Sequence, residues 1–167
     1  TQDGETDFAI ATGSLSNEPD LIALPCFRWN RSLIMPRKHP LVGKAHLTLE
    51  DIAEHPIITY GKGFTGRTAF DQAFRDNALE PHIVCSATDA DVIKTYVRSG
   101  LGIGVIACMA YDKIQDSDLQ VLEAGHLFPA EITYLAFRRN NVFRDYMFEF
   151  IERLAPHLDR SLIYSAI

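Results

Sequence analysis

The chain has 167 residues, 47% of them apolar and 23% charged, with a formal net charge of −6. That is enough for one ordinary domain or two small lobes with a filled core. The acidic balance argues that this chain is not itself a surface that grips a phosphate backbone. No run approaches the roughly 20 apolar residues of a membrane span, and the polar opening Thr1 to Asp7 does not resemble a basic-then-apolar leader. The expectation is a cytoplasmic globular protein with no membrane partner.

The first predicted element is a short strand, Phe8 to Thr12, which ends at a loop beginning with Gly13. Leu21 to Leu24 and Ser32 to Met35 read as further strands, the second stopped by Pro36. Pro36 to Pro40 is a rigid turn. Thr48 to Asp51 resembles a capping box at the start of a short helix that Pro56 ends, before a strand at Ile57 to Tyr60. Gly61 to Arg67 is a loop with three glycines. An amphipathic helix begins at or just after Thr65 and buries Phe70, Ala73 and Phe74, with Pro81 breaking it before a strand at Ile83 to Ser86.

A helix over 89–99 follows, with Val92, Ile93, Tyr96 and Val97 as its apolar stripe and Asp89, Asp91, Lys94 and Arg98 expected to face water. Acidic residues in its first turn and Arg98 in its last suit the helix dipole. Gly100 is the natural residue to end it. Strand Ile103 to Ala107, a weakly helical stretch and strand Leu119 to Leu122 come next. A strand at Ile132 to Phe137 leads into a long helix with Phe143, Tyr146, Met147, Phe150, Ile151 and Leu154 on its apolar side, interrupted at Pro156. Strands joined by helical connections imply α/β architecture with mostly parallel sheets. The opening residues read as the tail of a helix, so a first lobe is expected to be N-terminally incomplete, short of one or more βαβ units of ~30 residues.

The three cysteines, Cys26, Cys85 and Cys108, show no metal-ligand spacing and are expected to be reduced, buried thiols. No metal site or cofactor is expected. Gly100 to Gly104 has the wrong order for a phosphate fingerprint, because its glycines follow a helix and precede a strand. A helix stop with tight helix-to-strand packing accounts for it. Gly61 to Arg67 has the right order: strand, glycine loop, helix N-terminus. It either holds an anion with backbone N–H groups and the Thr65 hydroxyl, or simply turns the chain with Thr65 as a cap. Thr12, at the carboxyl end of a strand, sits where open α/β sheets place ligands, although strand-terminal threonines are common. Trp29, between two arginines three apart, is either a packed boundary residue or a ligand contact. No serine elbow, cysteine nucleophile or carboxylate pair emerges, so no catalytic residue is assigned and no enzyme is expected.

The runs Phe8 to Thr12, Trp29 to Ser32, Gly63 to Arg67, Ala87 to Val97, Phe137 to Arg139 and Ala155 to Leu158 resemble the effector-binding part of LysR-type transcriptional regulators, and within them the CysB-type branch that governs sulfur assimilation and cysteine biosynthesis. The resemblance covers essentially the whole chain in order. It implies two Rossmann-like lobes joined by crossing strands, as in type II periplasmic binding proteins, with the first lobe from 1–27 and 128–167 and the second from 28–127.

It also implies an inducer such as acetylserine, or an oxyanion such as sulfate or thiosulfate, held in the interlobe cleft. Thr12, Thr65 and Gly66 would be ligand residues, with Trp29 concerned in the response to inducer. Promoter DNA would be bound through a helix-turn-helix outside this chain, and the protein would be a homo-oligomer. A site of hydroxyls and backbone N–H groups favours a fully ionised anion, since a protonated one such as monohydrogen phosphate would leave its proton unpaired. The alternatives are a solute-binding protein for a small oxyanion and, more remotely, a small α/β enzyme.

Overall fold

The computed structural model describes residues 6–13, 19–64 and 66–166, and the chain divides into two compact units. Unit 1 comprises Thr1–Arg28 and Glu131–Ile167; unit 2 comprises Trp29–Ala130. The expected helix tail at the start of the chain falls largely outside the described residues.

Unit 1 is built on β1 (Ala9–Thr12), β2 (Leu21–Trp29) and, from the far end of the chain, β8 (Glu131–Arg138), in the sheet order β1-β8-β2. β1 and β8 are antiparallel, with Ala9 opposite Ala136 and Thr12 opposite Thr133. Helices α4 (Asp145–Leu154) and α5 (Arg160–Ala166) supply the rest of the core, where Phe137, Phe148, Ile151 and Ile163 are fully enclosed.

The predicted stripe of α4 is displaced. Met147 and Ile151 are buried as expected, but Phe148 is buried too, while Tyr146 and Phe150 are largely exposed. The cause is α5: the Phe148 ring lies 5.1 Å from that of Tyr164, with the Arg160 guanidinium 4.7 Å from its centroid. A second helix on that side turns the buried arc of α4 toward it. Phe150 is not idle, since it stacks on Phe8 at 5.5 Å.

Unit 2 is a five-stranded sheet of β3 (Arg31–Pro36), β4 (Ile57–Tyr60), β5 (Ile83–Ala87), β6 (Ile103–Ala107) and β7 (Leu119–Glu123), in the order β5-β4-β6-β3-β7. β4 is parallel to both β5 and β6, whereas β3 is antiparallel to both β6 and β7. The sheet is therefore mixed rather than mostly parallel. Within this sheet β3 alone runs against the others. The weakly helical stretch expected after β6 is only a 3-10 turn, Cys108–Ala110.

Helix α1 (Leu49–Ala53) starts at Thr48, whose hydroxyl accepts from the Asp51 N–H while the Asp51 carboxylate accepts from the Thr48 N–H, the reciprocal box expected from the sequence. α1 and α2 (Arg67–Asp76) cover one face of the sheet over Leu33, Met35 and Ile57. α3 (Ala90–Arg98) covers the other over Ile34, Ile58 and Ile106. Alternate residues of β3 thus feed opposite faces.

Two expectations for α3 are corrected. Val92 and Tyr96 are more than a third exposed, so its apolar contact is narrower and centred on Ile93 and Val97. Lys94 does not face water: it is 6% exposed, and its ammonium lies 2.8 Å from the carboxylate of Asp116, itself 2% exposed. Asp116 also accepts from Arg98 at 2.9 Å and from the Asp112 N–H at 2.9 Å. A lysine stem can cross apolar surface if its charge meets a partner, and the loop before β7 supplies one. Of the cysteines, Cys26 is buried, with burial pushing its thiol pKa up, but Cys85 is half-buried and Cys108 is exposed. Cys108 opens the short 3-10 turn that follows β6.

Candidate functional site

In unit 2 the site is assembled from the end of β2, the start of β3 and the loop from β4 into α2. β4 ends at Tyr60, and the Gly61 N–H donates to the Ala87 carbonyl at 3.0 Å, which fixes where the loop leaves the sheet. A turn then closes through Phe64 N–H to Gly61 O and Arg67 N–H to Phe64 O, both 3.2 Å. Gly66 is the cap of α2. Its φ of +90° is a left-handed conformation that glycine adopts without strain, and no side-chain cap bond accompanies it. The helix therefore starts where the sequence indicated. Thr65 lies outside the described residues, so its hydroxyl is not placed.

Trp29 and Gly66 are brought together. A Cβ added to Gly66 would lie 3.4 Å from the tip of the Trp29 ring and 3.0 Å from a guanidinium nitrogen of Arg31. Arg31, 4% exposed, donates to the Gly66 carbonyl at 2.7 Å and to the Pro129 carbonyl at 3.2 Å. Its guanidinium carbon lies 5.6 Å from the Trp29 centroid and 5.5 Å from that of Phe128. Trp29 and Arg31 are two residues apart along an extended chain and so share a face. That spacing was legible in the sequence, which nevertheless suggested only the tryptophan.

Arg67 is the second contributor that sequence reasoning missed. It is 7% exposed, donates to the Tyr60 carbonyl at 2.9 Å and the Ser86 hydroxyl at 3.3 Å, and pairs with Asp71 at 2.7 Å. Being the first residue of α2, it ties the helix start to the carboxyl ends of β4 and β5. Behind it the Tyr60 hydroxyl accepts from the Ala107 N–H at 3.3 Å, and burial raises the Tyr60 pKa, so the phenol stays neutral.

The electrostatic consequence is one-sided. Arg31 and Arg67 draw the carbonyls of Gly66 and Tyr60 to themselves, and the N-terminal end of α2 adds the positive pole of its dipole. The carboxylate closest in sequence, Asp71, is already paired with Arg67. An anion is the ligand class such a loop favours.

In unit 1, Thr12 ends β1, and its hydroxyl is 2.9 Å from that of Thr133 on β8. Two adjacent hydroxyls of this kind can both donate and accept. Among the described residues no group of histidine, cysteine or acidic side chains is arranged to hold a metal ion, and no helix is long and apolar enough to cross a membrane.

Residues 1–159 match the LysR substrate binding domain. The chain belongs to that family. It is 48% identical over 160 residues to the transcriptional regulator SsuR of Burkholderia cenocepacia, covering 96% of this chain and 52% of that protein. To the regulator CysB of Haemophilus influenzae it is 45% identical over 163 residues, covering 98% of this chain and 50% of that one. Among solved structures it resembles the cofactor-binding domain of the Cbl transcriptional regulator, with a TM-score of 0.90 and 44% identity over 98% of this chain and 72% of that one. The chain spans about half the length of these curated relatives, which are transcriptional regulators and not enzymes.

The LysR domain has the type II periplasmic-binding-protein-like α/β fold of two lobes with mixed sheets, and this chain has it too. It is an effector-binding domain related to those of SsuR, CysB and Cbl.

Proposed function

We propose that this domain senses a small anionic effector, acetylserine or an oxyanion such as sulfate or thiosulfate, for a LysR-type regulator of sulfur assimilation and cysteine biosynthesis. The observation that carries the reading is the Arg31–Gly66–Trp29 arrangement at the start of α2, a glycine loop whose carbonyls face guanidinium groups and whose helix end is positive. Thr65 and Gly66 are the ligand groups of this loop, and Thr12 is a further ligand group contributed by unit 1. Trp29 sits against the loop and reports occupancy. Promoter DNA is bound by a helix-turn-helix outside this chain, in a cytoplasmic homo-oligomer. The kinship with SsuR and CysB supports the sulfur assignment.

Calorimetric titration with acetylserine, sulfate, thiosulfate and phosphate tests the proposal. Sulfate and thiosulfate should bind more tightly than monohydrogen phosphate, whose proton would meet cationic donors and no free carboxylate. Thr65→Ala should weaken sulfate about tenfold or more, the loss of one charge-assisted hydrogen bond. Thr12→Ala should weaken it as well, and the double variant should bind far less than either. Unchanged sulfate affinity in Thr65→Ala would remove that loop from the site.

A further inference from the structure

On the opposite face of β3 from the Arg31 guanidinium lies a cavity of about 390 Å³ whose wall includes Ser32, Cys108, Tyr111, Lys113, Val121 and Glu123. Arg31 borders it as well, but turns its guanidinium to Gly66 and Phe128 on the α2 side, whereas Ser32 points the other way, with Ile34, toward the α3 side. The cavity is therefore distinct from the glycine loop, and a ligand held in it is independent of the effector assignment.

Ser32 is 4% exposed, yet among the described residues its hydroxyl has no hydrogen-bond partner. No polar side-chain atom of the described residues is both sealed from solvent and unpartnered, so this hydroxyl reaches the cavity. A buried hydroxyl without a protein partner forgoes about 1–3 kcal/mol unless something else bonds it. At the mouth stand one cation, Lys113, and one anion, Glu123, and neither forms an ion pair among the described residues. Val121, Tyr111 and the exposed thiol of Cys108 add apolar and polarisable surface to the wall.

The rim is fixed in advance. The Asn30 carbonyl accepts from the Cys108 N–H at 2.8 Å, and its side-chain amide donates to the carbonyls of Gly125 at 3.0 Å and Phe128 at 3.1 Å. One residue thus holds the β6 end and the segment after β7 at a set separation. The cavity lies in the size range of small-ligand sites, a concave space with a few convergent polar groups.

We infer that this cavity is a second small-molecule site that takes a free α-amino acid with a small polar side chain. Its carboxylate pairs with Lys113, its ammonium with Glu123, and its side chain reaches the Ser32 hydroxyl. Opposite unpaired charges at the mouth select a zwitterion, because an anion alone would be repelled by Glu123 and a cation alone by Lys113. A neutral hydroxyl at the floor accepts either a donor or an acceptor from the side chain.

L-Serine serves as the test ligand, with N-acetylserine, which lacks the ammonium, and ethanolamine, which lacks the carboxylate, as the other arms. Two readouts are used: calorimetric affinity, and the rate at which iodoacetamide alkylates Cys108, followed by peptide mass. Serine should bind saturably and slow Cys108 alkylation at least threefold, whereas N-acetylserine and ethanolamine should leave that rate unchanged. Glu123→Gln and Lys113→Met should each weaken serine about tenfold or more, and Ser32→Ala by a smaller factor. Serine binding that leaves Cys108 unprotected, protection by N-acetylserine equal to that by serine, or affinity indifferent to both charge substitutions would each overturn the assignment. If a variant fails to fold, protection of Cys108 in the unsubstituted chain still decides.

Discussion

Two segments of unit 2 each carry three glycines and have opposite tasks. Gly61 to Gly66 follows a strand and precedes a helix, and its backbone stands at a helix N-terminus. Gly100 to Gly104 follows a helix and runs into a strand, and from Gly102 onward its backbone is packed closely. At Gly66 the nearest atoms to a Cβ would be side-chain ends, a tryptophan tip at 3.4 Å and an arginine head at 3.0 Å. At Gly102 it would meet the Pro56 carbonyl at 2.3 Å, and at Gly104 the side chains of Ile34, Ile93 and Val97 at 2.7, 2.9 and 2.9 Å. The chemistry of a glycine run is therefore decided by what lies in the missing side chain's place, and element order foretells it.

The largest effect that would sharpen this contrast concerns the clamp that presses α3 onto the second segment. Asp116→Ala leaves Lys94 buried with only the exposed Asp91 at 3.4 Å for company, and should cost about 3 kcal/mol of stability, measured by urea unfolding. Burial pushes the Asp116 pKa up, but hydrogen bonds from Lys94, the Asp112 N–H and Arg98 outweigh it, leaving the carboxyl below its ordinary value. Its contribution is then complete above the unfolded carboxylate pKa of about 3.9 and disappears as pH falls through the lower folded value. The stability gap between the unsubstituted chain and Asp116→Asn should accordingly stay constant from pH 5 to 7 and shrink below pH 4. A gap that persisted undiminished in acid would show that the clamp is not electrostatic.

Next comes Gly102→Ala, which sets a methyl against a backbone carbonyl that also accepts the Ile103 N–H at 2.9 Å. Neither can retreat without breaking the β6 start, so about 2–3 kcal/mol should be lost, with sulfate affinity unchanged in whatever remains folded. Gly66→Ala should show the reverse balance. Its left-handed φ and the crowding of a movable Arg31 head cost about 1–2 kcal/mol, but disturbing the Arg31–Gly66 bond should weaken sulfate several-fold. Equal loss of ligand affinity in both variants would dissolve the distinction between the segments.

Much of this was legible in residue order. The strands from Phe8 to Phe137, the Thr48 box, the helix start after Thr65 and the stop at Gly100 all rest on local rules of capping, proline and periodicity, which tertiary contacts here reinforce. Three features were not legible because partners far apart in sequence decide them. Lys94 is buried only because Asp116, 22 positions on, comes to meet it. Phe148 turns inward only because α5 folds over it. β3 runs against its sheet because its neighbours, β6 and β7, come from far along the chain and pair with it antiparallel. In the candidate site, Trp29 and Gly66 could be chosen from the sequence, but Arg31 and Arg67 could not, since an arginine among polar neighbours reads as a surface charge until its carbonyl acceptors are known.

The smallest effect tests the comparison at its mildest point, Gly100. Here φ is +79° and nothing lies within 4 Å of an added Cβ, so conformation is the only penalty. The residue ends α3: its N–H donates to Val97 O at 3.0 Å, and the next N–H, that of Leu101, donates to Tyr96 O at 3.1 Å. These bonds hold the left-handed turn in place after substitution, because abandoning it would strip two carbonyls at the helix end. Gly100→Ala should therefore keep the turn and lose only the left-handed strain of an L residue, about 1 kcal/mol in thermal or urea unfolding. Gly100→Asn should recover part of that, since asparagine tolerates the left-handed region better than alanine. A loss in Gly100→Ala as large as in Gly102→Ala would mean that the packing contacts of this segment begin two residues earlier than the Cβ geometry places them.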